Sequence, residues 1–174
     1  MFDPDREQVR RFYFDTWRKY RNREPLQGSE TLAIEVILLH PEYHAILDEP
    51  ERYTARDYLP EMGETNPFLH LSLHLAILEQ LSIDQPAGIR SRYQQLLERG
   101  LAVHDAHHVL AECLAEMIWQ AQRNHSPPDP ALYLGCLDAR LRHRVEDGVT
   151  PVALSHHRTC GSASGGSLNT LESS

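Results

Sequence analysis

The chain has 174 residues, 41% of them hydrophobic, with a net charge of −8 and an isoelectric point near 5.7. That acidity argues against a dedicated nucleic-acid binder or a membrane-surface protein, and the length suits one domain with one core. No apolar run is long enough to span a bilayer, and no signal-peptide pattern opens the chain. Cys113, Cys136 and Cys160 are odd in number, far apart and outside any CxxC unit. The expectation is no disulfide framework and a cytoplasmic setting.

Taken in order, Asp3-Pro4 starts a first helix, and Val9, Phe12, Tyr13, Thr16, Trp17 and Tyr20 mark its apolar face. Seven basic residues between Arg6 and Arg23 read as its solvated outer face. Glu24-Pro25 ends it. A second helix from Ser29 is apolar nearly all round and is expected to be the most buried. It stops at His40, because a residue before proline is pushed out of the helical region. Pro41 opens a short helix, PEYHAILDE, so His40 and His44 bracket a break; both read as end-capping or solvent-facing. Residues 50–66 are expected as an ordered loop, long enough to cover something.

Asn66-Pro67 then reads as N-cap and first residue of a helix to about Leu81. At 100° per residue, His70, His74, Ile77 and Leu81 share its buried face. Buried imidazoles need a partner from a neighbouring element. A helix on Ile89, Tyr93, Leu96 and Leu97 closes at Gly100. The next, from about Ala102 to Arg123, carries His104, His107, His108 and Glu112. Pro127 and Pro128 break it, and Asp129-Pro130 opens a last amphipathic helix on Leu134, Leu137 and Leu141. The fold class is therefore all-α: a compact bundle of five to seven helices over residues 1–145, with a disordered Gly/Ser-rich tail over 146–174.

His-x-x-x-His recurs at 40/44, 70/74 and 104/108, and His-x-x-x-Glu at 108/112. Such pairs put two ligand atoms on one helix face, and paired helices of this kind build the metal sites of bundles. The leading reading is a buried metal site of His70, His74, His104, His108 and Glu112, taking iron or zinc. Helical spacing leaves open whether His107 or His108 faces inward. The alternative is a metal-free scaffold or adaptor that binds a partner protein or a second copy, its histidines forming a structural polar network. No GxSxG, HExxH or phosphate-cradling loop is present, and Cys113 reads as inert near the polar face.

The segments DREQVRRFYFDTWRKYR, HPEYHAIL, PEMGETNPFLHLSLHLAILEQ and HDAHHVLAECLAE occur in this order. By them the chain resembles the bacterial family of domain of unknown function 1841 over about residues 1–143. That resemblance implies a small cytoplasmic helical protein and supplies no activity. In spacing alone, the two His-bearing helices are similar to those of hemerythrin-like di-iron bundles. The final aspartate ligand of that pattern has no counterpart here.

A Gly/Ser-rich tail buries too little apolar surface to repay its own ordering. Truncation at Gly148 should leave the melting temperature nearly unchanged in a thermal scan. A fall of many degrees would mean that the tail docks on the bundle.

Overall fold

The computed structural model describes residues 6–58 and 65–146, and every regular element among them is helical. In order these are α1 (Arg6–Arg21), α2 (Ser29–Leu39), a 3-10 turn (Pro41–Tyr43), α3 (His44–Leu47), α4 (Pro50–Tyr53), α5 (Pro67–Ile83), α6 (Ile89–Glu98), α7 (Val103–Arg123) and α8 (Pro130–Glu146). Six of them are long; α3 and α4 are single turns. The expected tail lies beyond Glu146, outside the described residues, as do Asp3-Pro4 and Cys160. No described helix is long and apolar enough to cross a membrane.

Local chemistry sets the boundaries. Asn66 caps α5, its side-chain oxygen accepting from Phe68 N at 3.1 Å and Leu69 N at 3.2 Å. Asp129 does the same for α8, accepting from Ala131 N at 2.9 Å. Gly100 follows α6 at φ +85°, a left-handed conformation that side chains resist. Pro41 ends α2, leaving His40 at φ −123° and out of the helical region.

Two hydrophobic clusters form the interior. One joins Tyr13, Phe14 and Trp17 of α1 to Val36 and Ile37 of α2 and to Phe68 and Leu71 of α5. The other joins Ile77 of α5 to α6, α7 and α8 through Ile89, Leu96, Leu110, Leu114 and Leu137. Helix α5 belongs to both, and His74 stands on it between Leu71 and Ile77. Polar ties fix the flanks: Trp17 Nε1 donates to Asp48 at 2.8 Å, and Arg92 grips Asp138 with two bonds of 2.7 and 2.8 Å.

Four expectations change. Helix α2 is not buried all round: Leu38 and Leu39 are exposed, because α2 packs on α1 and α5 and leaves its remaining side to water. The segment expected as a loop over 50–66 begins with α4. Arg10 is not on the solvated face; it is buried, donates to the carbonyls of Tyr53 (3.1 Å) and Thr54 (2.7 Å), and lies 5.2 Å from the Phe68 ring centre. Finally, Cys113 and Cys136 form a disulfide between α7 and α8, with Cα atoms 5.7 Å apart. Cys113 faces the core rather than the polar side, so the cysteine count no longer supports a reducing compartment.

The Asn66 cap is an isolated test of how α5 is started. Asn66→Ala should cost about 1 kcal/mol in urea unfolding, whereas Asn66→Asp or Asn66→Ser should restore most of it. Equal midpoints for wild type and Asn66→Ala would place the helix start elsewhere.

Candidate metal centre

Three elements bring five imidazoles together. The break after α2 supplies His40, α5 supplies His70 and His74 one turn apart, and the first turns of α7 supply His104 and His108. Ligand atoms of His40, His74, His104 and His108 all lie within 4.8 Å of one another. His70 Nε2 is 3.0 Å from His40 Nε2, which brings the fifth ring to the same place. His40 and His74 are each 1% exposed, while His70, His104 and His108 are half-buried. The cluster lies at the junction of the two hydrophobic cores.

His40 fixes the proton arrangement. Its Nδ1–H donates to the Val36 carbonyl at 2.7 Å, so the neutral ring keeps only a lone pair on Nε2. His70 Nε2 and His104 Nε2 both stand 3.0 Å from that one lone pair, and His108 Nε2 stands 3.1 Å from His104 Nε2. If His104 donates to His40, its Nε2 has nothing left to accept from His108. If it accepts from His108 instead, two lone pairs face each other between His40 and His104. No set of neutral tautomers makes all three contacts well-directed bonds. His74 is worse placed: both of its ring nitrogens are buried, and neither has a hydrogen-bond partner among the described residues. Leaving such an atom unsatisfied costs about 1–3 kcal/mol.

Extra protons do not relieve the conflict. Burial, reinforced by the neighbouring His40, His70, His108 and His104, pushes His74 down to about 2. Burial and then His40 and His108 hold His70 at about 4. His40 and His108 are lowered too, chiefly by burial, in His40 against the opposing bond to Val36. His40, His70, His74 and His108 are therefore held toward the neutral form, the state in which imidazole binds metal.

Of the residues expected at the site, His70, His74, His104 and His108 come together, and Glu112 does not. Its carboxylate is 57% exposed and pairs with Arg140 at 3.2 Å. Two helical turns beyond His104, it has rotated about 80° away from the cluster. His107 is buried as well, but behind the cluster, stacked on Tyr93 with ring centres 5.3 Å apart and 6.0 Å from His74. His44 turns away to stack on Trp17 and donate from Nε2 to the Ile37 carbonyl at 2.9 Å. His40 is the residue that helical periodicity missed. It does bond back onto the end of α2, yet its other nitrogen is central to the cluster. Besides its spacing with His44, its sequence signal was its place before Pro41, which turns it out of the helix.

Residues 5–139 match the family described as a domain of unknown function, DUF1841. The chain belongs to that family. The four segments that carry the resemblance, around Arg6–Arg21, His40–Leu47, Asn66–Gln80 and His104–Glu116, fall inside the match, so this DUF1841 chain carries its whole His cluster within the family region. No curated protein and no solved structure matches the chain.

The lowered pKa values have a consequence for the metal-free chain. His70 and His107 fall to about 4 when folded, against 6.5 as free side chains. Between those values the unfolded chain binds more protons than the folded one. Stability is therefore full above pH 6.5 and falls as pH drops across the window. Urea midpoints measured in chelator should decline from about pH 7 to about pH 4, and replacing His70 and His107 by Gln should flatten the decline. A flat wild-type profile would contradict neutral, buried rings.

Proposed function

We propose that the chain binds one divalent transition-metal ion at His40, His74, His104 and His108, with His70 beside them. The observation that carries this is His74, which is wholly buried with both ring nitrogens unsatisfied and surrounded by lone pairs that protons cannot pair off. A cation at the meeting point turns that mutual repulsion into ligation. The donor set is imidazole nitrogen, which suits iron, zinc, copper and nickel. Glu112 is left out of the ligand set because Arg140 holds it at the surface.

The second reading, a metal-free scaffold, is favoured by the three Nε2–Nε2 contacts of 3.0 to 3.1 Å, which are hydrogen-bond distances. Its partner, another protein or a second copy, would meet exposed apolar side chains such as Leu69, Ile83, Val103 and Trp119. A cytoplasmic location belongs to either reading.

Chain purified without a His-tag should carry close to one metal ion per molecule by elemental analysis, and chelator should lower its melting temperature. His74→Ala should abolish both the metal and the chelator effect. Sub-stoichiometric metal, together with a melting curve indifferent to chelator and to added iron, nickel or zinc, would leave the scaffold reading in front.

A further inference from the structure

Resting on that reading, we infer that His70 is a fifth ligand and that the five rings make a square pyramid with one open vertex opposite His74. The site then takes an ion that prefers six-coordination, such as iron(II) or nickel(II), rather than tetrahedral zinc. It also leaves room for one small anionic or neutral donor from solution.

The ring contacts carry the inference. Five ligands form ten pairs, and in a square pyramid eight are neighbours and two lie across the base. In a trigonal bipyramid only one pair lies across the centre. Here eight pairs have ring centres 4.5 to 5.2 Å apart. His40 and His108 are separated by 6.5 Å, and His70 and His104 make no ring contact with each other. Those two pairs share no residue, as the two diagonals of a base must. The ring left over, His74, neighbours all four others at 4.5, 4.8, 5.2 and 4.8 Å, as an apex does.

The nitrogen distances agree. An ion bound at about 2.1 Å sets nitrogens at right angles about 3.0 Å apart, and nitrogens at the tetrahedral angle about 3.4 Å apart. Three nitrogen–nitrogen contacts, His40 with His70, His40 with His104 and His104 with His108, are 3.0, 3.0 and 3.1 Å. All three run along edges of the same base.

Position decides what the sixth vertex meets. The apex His74 and the basal His40 are buried, while the basal His70, His104 and His108 are half-buried, so the direction opposite His74 runs toward the less buried rings. Five neutral imidazoles leave the ion's double charge uncancelled. Glu42, Asp105 and Glu112 are near enough to act on the rings but hold no place among them. A donor that completes the shell is therefore small and single-atom in its attachment, with an anion favoured.

Cobalt(II) reports coordination number through its visible absorption: four-coordinate ions absorb intensely, five- and six-coordinate ions weakly. Full-length chain stripped of metal and titrated with cobalt should bind one equivalent, show weak bands, and show a shift of those bands on adding azide. His70→Ala should weaken cobalt binding by at least about tenfold, the loss that even outer-shell partners cause. Intense four-coordinate bands indifferent to His70→Ala would overturn the five-ligand geometry while leaving a metal site. Bands that ignore azide would overturn the open vertex. A wild-type chain that takes up no cobalt would overturn the metal reading itself, and this inference with it.

Discussion

Gathering five imidazoles, two of them wholly buried, where two hydrophobic clusters meet is unfavourable unless their nitrogens find partners. The architecture holds that junction in place. A neutral imidazole offers one donor and one acceptor, and His40 has already given its donor to Val36. The remaining nitrogens converge, and burial keeps further protons off His70 and His74. Apolar residues of the same volume would pack there at less cost. The chain instead places imidazoles from three separate elements at one point, where a cation, if bound, would make all of their lone pairs favourable together.

Helix α5 is the structural means. Its core stripe runs Phe68, Leu71, His74, Ile77, so that one histidine replaces the apolar residue at the point where the stripe passes from one cluster to the other. Asn66 and Pro67 begin the helix one turn ahead of His70, which fixes the height of that ring. Helix α7 begins at Val103, and His104 and His108 therefore come from its first turns, where the chain has only just left α6 at Gly100. The Cys113–Cys136 bond ties the middle of α7 to α8, and the Arg92–Asp138 pair ties α6 to α8. Ligands carried on helices anchored in this way are held more precisely than ligands on loops.

Much of this was legible beforehand, because it depends on periods and caps. The four-residue spacing of His70/His74 and His104/His108, the Asn66 cap and the Pro41 stop are local signals, and each has its counterpart in the structure. What was not legible depends on rotation or on tertiary contact. Glu112 continues the His104/His108 stripe in sequence, yet a helix of 3.6 residues per turn carries it off the face within two turns. His40 pairs by spacing with His44, but the helix breaks between them and the two rings point to different neighbours. The apolar pattern of α2 does not reveal that its final leucines lack a covering element. Nor does a separation of 23 residues announce the Cys113–Cys136 bond, which depends on α7 and α8 packing side by side.

The central claim, that five histidines from three elements converge on one ion, is tested most directly by locating the ion. Crystals of the full-length chain loaded with nickel or iron should show a single anomalous-scattering peak. It should lie about 2.1 Å from one nitrogen each of His40, His70, His74, His104 and His108, with His74 opposite any solvent ligand. A peak held by other side chains, or no peak in a well-ordered cluster soaked with excess metal, would contradict the account.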